Sequence, residues 1–503
     1  MSNEKNSDFA KYLSAVELIE KVLKPHPTII KNLKTPYRFI RSGIWLHRDD
    51  GSFEYLPAYR CQFNKARGMP QGGTRYEITA VEDTCKFLAG DMILKNAIVG
   101  IMHGGGKGVI TVDKFKHSKL ECELFSRGYI DVTEPYIGPR VDGPAPDKNT
   151  GGDEMSWFLD ELELIRGYHC PGSFTGKPLV LGGSVGRGDA TGLGAVYATK
   201  SMIGHLGLEG QHLTFGVDGF GNAGDNYIKK MESSEHGGHV CVATSDTSGI
   251  IAKKGGLDIK ALHDFCYDPV TGKKVRKVTE FVQVDPSILV GREAIDVYLN
   301  ADFGAPAASQ NRIADKEIWK QREDGLEYLE AVDAHKIMWK FGVELANGPC
   351  TMEAIEILVE RKIPFVPDIF ASGGGVRVSS AEKAQGLLNA KWTEEQVRVW
   401  LKDQMELAFK EIMKTQEKYG LATIRDAATI YAGEQIVEAM KFRGGLYLPY
   451  GKTIDAMPVV VSATPHAPAV LLKQAWVVLT NLDKLDTLLL RSVRRWLRPI
   501  LAH

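Results

Sequence analysis

A chain of 503 residues holds more than one hydrophobic core can organise, so two large domains with a cleft between them are expected. Its 62 Lys+Arg balance 63 Asp+Glu, which excludes a global field drawing it onto nucleic acid or an anionic membrane and leaves a small molecule as the expected partner. The seven cysteines form no C-x-x-C pair and meet no histidine at zinc-ligand spacing, so free thiols in a reducing compartment, and no metal, are expected.

The start, MSNEKNSDFAKYL, lacks a basic stretch followed by an apolar one, and no apolar run reaches the length of about 18 residues that spans a bilayer. A cytoplasmic protein is expected. Residues 8–32 carry Phe9, Leu13, Val16, Ile19 and Leu23 at helical spacing. Strand-like segments follow over Tyr37–Trp45 and Phe53–Phe63, joined by an Asp49-Asp50-Gly51 turn. A helical pattern runs from Ile78 to Leu94 and leads into the glycine-rich Gly104–Gly108. After Pro178, short β-rich runs alternate with helical ones: Leu213–Val217, His239–Thr244, Asp296–Leu299, Gly342–Ala346 and Phe365–Pro367. That alternation predicts a parallel, doubly wound sheet with helices on both faces. Residues from about Glu394 to Phe442 read as helix again, and a tail from Tyr447 to His503 ends in a basic amphipathic stretch, Val470–Leu501. Such a stretch either touches a membrane surface or partner, or packs on its own body.

Leu213–Val217 feeds directly into Gly219-Phe220-Gly221-Asn222-Ala223-Gly224, and a helical pattern follows. Strand, glycine turn and helix together predict a dinucleotide site, with the pyrophosphate held by free N–H groups at the helix N-terminus. Asp246, at the end of the next strand, could accept hydrogen bonds from the ribose hydroxyls and repel a 2′-phosphate, which favours NAD. An ordinary strand–turn–helix joint and an exposed turn carboxylate are the alternatives. Lys107, surrounded by glycines, is expected in a tight, partly dry pocket that lowers its pKa and lets it act as a base. Asp147 follows Pro144-Ala145-Pro146, which stiffens the backbone and aims one carboxylate. By composition alone, each residue is also common as a surface charge.

Several stretches, in order, resemble the glutamate/leucine/phenylalanine/valine dehydrogenase family: RGMPQGGTR (67–75), Lys95–Gly108, VDGPAPDKNT (141–150), GGSVGRGDATGLG (182–194), Gly216–Gly224, DFGAPAASQNRI (302–313), LANGP (345–349) and VPDIFASGGGVRVS (366–379). The resemblance implies an α/β subunit with two domains and a cleft between them. Residues 1–185 would bind substrate and oligomerise, with 425–446 packing back on them; 186–424 would form a Rossmann-like NAD(P)-binding domain, and 447–503 an extension of unknown role. A homo-oligomer, usually a hexamer, is implied. Lys107 resembles the catalytic lysine that activates water, and Asp147 the acid/base at the substrate nitrogen. Lys95 is similar to the lysine pairing with the α-carboxylate beside Gly73, Ser379 to a serine at the substrate side chain, Thr191 to a threonine near the nicotinamide amide, and Asn347 to an asparagine near its ribose.

The implied reaction is oxidative deamination of an L-amino acid, expected to be glutamate, to a 2-oxo acid and ammonia, with NAD as cofactor and NADP as its alternative. Leucine, valine or phenylalanine is the alternative substrate, and a non-catalytic binding relative the alternative class. Domain closure is expected, with a hinge near Gly373-Gly374-Gly375. Two departures stand out. Gln71 occupies the position where the glutamate enzymes carry a lysine for the distal carboxylate, and Met102-His103 replaces the usual residues before the glycine run.

Overall fold

The computed structural model describes residues 8–321, 327–444 and 460–462. Helices α1 (Asp8–Leu23) and α2 (Pro27–Lys34) precede a long hairpin of β1 (Arg38–His47) and β2 (Phe53–Phe63), in which Gly51 supplies the turn at φ +83°. Then come β3 (Pro70–Tyr76), α3 (Glu82–Ile98), β4 (Gly104–Ile110), α4 (Lys119–Thr133), β5 (Gly143–Pro146) and α5 (Gly152–Arg166). These strands lie in the order β1-β2-β4-β3-β5, with β4, β3 and β5 parallel and β2 antiparallel to both β1 and β4. On one face Phe125, Tyr129 and Phe158 of α4 and α5 pack against Ile44, Leu46 and Tyr76. On the other, Tyr12, Ile93 and Ile98 of α1 and α3 pack against Phe63.

The glycine run that reads as a loop in the sequence is the buried strand β4. Its glycines keep side chains out of the way of neighbouring backbone and rings: a methyl at Gly105 would lie 2.0 Å from Ala89 O of α3, and one at Gly108 2.4 Å from the Tyr129 hydroxyl. Helix α3 can therefore lie directly on the strand, which brings Lys95 and Lys107 to the same side of the sheet.

The second half begins with α6 (Ala190–His205) and continues through β6 (Thr214–Asp218), α7 (Asn222–Glu232), β7 (Val240–Asp246), β8 (Gly249–Ala252), α8 (Ile259–Cys266), β9 (Leu289–Val290), α9 (Arg292–Leu299) and β10 (Phe303–Pro306). Short strands β11 (Ile313–Ala314), β12 (Ile318–Gln321) and β13 (Glu327–Asp333) form a small separate sheet. After them come β14 (Phe341–Val343), α10 (Met352–Glu360), β15 (Phe365–Val366), α11 (Asp368–Ala371), α12 (Gly373–Leu388), α13 (Glu394–Tyr419) and α14 (Ile424–Phe442). The main sheet has the order β15-β14-β10-β6-β7-β8-β9, parallel from β15 to β7, with β8 antiparallel to both of its neighbours. Strand order reverses between β6 and β10, and a crevice opens at such a switch point. Helix α14 packs back on α1 and α3.

Two expectations change. Asp296–Leu299 is the last part of helix α9, where Ala294, Ile295, Tyr298 and Leu299 are buried at helical spacing; the strand follows at Phe303–Pro306. A four-residue run with three apolar members is too short for its period to distinguish the two states. Gly373, Gly374 and Gly375 lie inside α12, where a methyl at Gly374 would meet Ala190 O at 2.2 Å, so these glycines serve close packing of α12 on α6. The basic stretch 470–501 lies outside the described residues. Among the described residues, no helix is long and apolar enough to cross a membrane, no metal-binding cluster occurs, and all seven cysteines are free and buried.

Candidate active site

Lys107 stands in the middle of β4, 5% exposed, and its Nζ lies 2.9 Å from Asp147 Oδ2. Asp147 follows β5, which runs beside β3 with Gly73 opposite Ala145. A methyl at Gly73 would stand 2.6 Å from Asp147 Cβ, so glycine is what lets the carboxylate reach this position. The Asp147 backbone N–H donates to Thr150 Oγ1 (2.8 Å), and that hydroxyl donates to Thr74 O (2.8 Å). From β3, Arg75 Nε donates to the same Asp147 oxygen at 2.7 Å, while its Nη1 reaches Glu77 at 3.1 Å.

The electrostatics follow from this packing. Burial pushes the Lys107 ammonium below the ordinary lysine value, and the positive charges of Arg75 and Lys95 push the same way, against the pull of Asp147. Burial alone would raise Asp147, but Lys107 and Arg75 overcome it and hold its carboxyl far below the usual carboxylate range. The pair therefore combines a lysine that gives up its proton readily with an ionised carboxylate beside it.

These groups line a cleft of about 990 Å³ that opens between the first sheet and the loops after β10 and β14. Lys95, on α3, points into it 3.7 Å from Asp91 and 3.3 Å from Asn347 Oδ1 across the gap. At the other end Gln71 Nε2 donates to Ser379 Oγ (3.3 Å), and Ser379 also bonds the Thr175 hydroxyl. Gln71 Oε1 is buried without a hydrogen-bond partner. Gly73, Thr191 and Ser379 line the same cleft, so every expected residue of the substrate side meets here, with Thr191 and Asn347 from the nucleotide side.

The glycine turn lies at the end of β6, outside that cleft's lining. Gly219 takes φ +125°, a conformation open to glycine, and a methyl at Gly224 would lie 1.9 Å from Gly219 O. Gly221, the residue before α7, has open space where its side chain would be: nothing lies within 4 Å. An open backbone cradle at the N-terminus of α7 fits a dinucleotide pyrophosphate. Asn222 and Ala223 start the helix; the Phe220 ring is buried and its N–H donates to Ser245 O (2.6 Å). Asp246 is not the free acceptor expected: Ser248 N (2.7 Å) and Oγ bond one oxygen, while Lys274 Nζ (2.6 Å) and Val278 N (3.1 Å) bond the other. Lys274 thereby places a cation beside the carboxylate that would repel a 2′-phosphate.

Comparison with known proteins identifies the family. The family model for the Glu/Leu/Phe/Val dehydrogenase dimerisation domain matches residues 36–164, and that for Glutamate/Leucine/Phenylalanine/Valine dehydrogenase matches 182–444. The chain belongs to this dehydrogenase family. Over 416 residues it is 34% identical to the NADP-specific glutamate dehydrogenase A1 of Halobacterium salinarum, covering 83% of this chain and 93% of that one. Over 427 residues it is 36% identical to the NAD-specific glutamate dehydrogenase of Clostridioides difficile, again covering 83% and 93%. The hetero-hexameric glutamate dehydrogenase of Thermus thermophilus is similar in structure, with TM-score 0.74 and 27% identity over 87% of this chain and 97% of that one.

In this dehydrogenase the sequence reading passed over two cations. Arg75 lies two residues after Gly73, a spacing that puts both on one face of a strand, and that period was the available signal. Arg187 lines the cleft, and a methyl at Gly375 would lie 2.6 Å from Thr191 Oγ1 and 3.7 Å from Arg187 Nη1; its Nε has no hydrogen-bond partner among the described residues. It stands four residues before Thr191 in the stretch GGSVGRGDATGLG, but nothing in the spacing says which way it points. His103 is held at about 4 by burial, with Lys383 pushing the same way, and is thus neutral near pH 7.

Proposed function

We propose that this dehydrogenase oxidises L-glutamate to 2-oxoglutarate and ammonia, with NAD or NADP as hydride acceptor. The observation that carries this reading is one cleft lined by the Lys107–Asp147 pair, with a polar end formed by Gln71 and Ser379, a poor lining for an apolar side chain. The names of the relatives point to the same substrate and to either cofactor.

When bound, the nicotinamide supplies the acceptor for the hydride leaving Cα of the amino acid. Lys95, beside Gly73, pairs with the α-carboxylate and fixes the α-carbon. Asp147, already ionised, accepts a proton from the substrate amine. Lys107, neutralised readily because it is buried, takes a proton from the water that adds to the imine carbon and releases it to solvent; as Asp147 returns its proton to the departing ammonia, Lys107 takes the remaining hydroxyl proton and the carbonyl forms. Arg75 keeps Asp147 aimed through both transfers. Thr191 and Asn347 orient the nicotinamide end, and the N–H groups of the 219–224 turn hold the pyrophosphate. Lys274 at Asp246 offsets the repulsion of a 2′-phosphate, which supports use of NADP as well as NAD. The hetero-hexameric neighbour supports an oligomer, for which we infer a hexamer of this chain in the cytoplasm.

The test is the formation of reduced nicotinamide, followed by absorbance, over glutamate, leucine, valine, phenylalanine and alanine with NAD and NADP in parallel. Glutamate gives the highest kcat/KM. Preference for an apolar amino acid overturns the substrate, and no turnover with any overturns the activity.

A further inference from the structure

Strands β3 and β5 run with Gln71 beside Gly143, and on that face the glycine leaves a gap. A methyl at Gly143 would stand 3.1 Å from Lys383 Nζ, 3.3 Å from Met69 Cε and 3.6 Å from Gln71 Cγ, so the lysine and the glutamine both come up to this glycine. Lys383 is one helical turn beyond Ser379 on α12, and residues four apart share a helix face. Ser379 already bonds Gln71, so three polar side chains converge behind the end of the cleft.

Lys383 is 2% exposed and its ammonium spends one proton on Gly172 O, at 2.9 Å. Among the described residues no carboxylate lies within ion-pair distance of it. Asp142, whose charge reaches it, is held by Arg60 at 2.5 and 2.7 Å and by Gln62 at 2.8 Å; Glu382, next to it on α12, is held by Lys177 at 2.8 Å. A buried cation without a counter-charge is costly. Burial pushes Lys383 down to about 8, with Lys177 acting the same way and Asp142 opposing. An arriving anion would satisfy the ammonium and let the Gln71 amide donate to the same oxygens.

We propose that Lys383 is a specificity-determining residue whose ammonium, beside Gly143, provides the charge for the side-chain carboxylate of a dicarboxylic amino acid at the position where Gln71 provides none. This rests on the glutamate reading above. The strand residue at the pocket end is neutral, and the cation arrives from the facing helix instead.

Lys383→Met keeps the bulk and removes the charge. Expected is a fall of about ten- to a hundredfold in the ratio of kcat/KM for glutamate to that for norvaline, which has the same main chain and no distal charge, carried by KM for glutamate. Adding Gln71→Lys to Lys383→Met restores the ratio, because it returns a cation to the same end. An unchanged ratio, whether both substrates suffer equally or neither does, overturns the proposal. If Lys383→Met does not fold, the native enzyme gives the answer through inhibition by glutarate and pentanoate, which differ only in the distal carboxylate. The preference for glutarate is constant below about pH 8 and falls above it as Lys383 loses its proton; a preference flat to pH 10 overturns the proposal. Of the groups around Lys383, Asp142 is paired with Arg60 and Glu382 with Lys177, and His103 stays neutral, while Lys107 acts on the end common to both inhibitors and cancels. Native enzyme that oxidises norvaline but not glutamate would instead defeat the glutamate reading itself.

Discussion

Two glycine-rich segments, 104–108 and 219–224, look alike in composition and are used in opposite ways. In the first, a methyl would strike the protein's own backbone or side chains, as at Gly105 against Ala89 O, and no residue of the run takes a positive φ. These glycines let a helix lie on a strand, and the consequence is chemical: Lys107 is buried beside Asp147 at the wall of the cleft. In the second, Gly219 turns the chain at φ +125°, and Gly221 faces open space. There the approach is reserved for a ligand. Glycine marks close approach in both; what approaches is decided by whether a side chain would meet protein or nothing.

The comparison can be broken or sharpened in order of effect. Lys107→Met removes the base that the first segment shelters and lowers kcat by about a thousandfold; a loss under tenfold would leave the buried lysine without a role. Gly105→Ala forces β4 away from α3 and costs about 1–3 kcal/mol in urea unfolding, with little change in KM for the dinucleotide. Gly221→Ala does the reverse, leaving unfolding unchanged and raising KM for NAD or NADP about tenfold by crowding the pyrophosphate. If it destabilises as much as Gly105→Ala, the two segments are not different in kind. Smallest is Arg75→Met. Arg75 lowers the Lys107 value, so its removal raises that value and moves the acid limb of kcat to higher pH; a shift to lower pH would contradict the electrostatic account.

Much of this was legible in the sequence where the signal is local. The strand before Gly219 and the helix after Gly224 carry their own periods, and the β–α alternation beyond residue 213 gave the doubly wound sheet. Strand β4 was not readable as one, because glycines have no alternation to show. Asp296–Leu299 misled because buried helix and buried strand look the same over three apolar residues. The site's remaining members come together only in three dimensions: Gln71 and Ser379 are 308 residues apart, and no spacing rule links Lys383 to Gly143. Asp246 was placed correctly at the end of β7, yet its partner Lys274 arrives from a loop 28 residues on, which turned an expected free acceptor into half of an ion pair.

The central claim is that a glycine strand buries Lys107 so that it loses its proton more readily than an ordinary lysine. The most direct measurement is the pH dependence of kcat for glutamate oxidation by the native enzyme. A single rising limb with its midpoint below the ordinary lysine value of 10.5, absent in Lys107→Met, is the predicted result. A limb at or above that value, or one that survives in Lys107→Met, would contradict it.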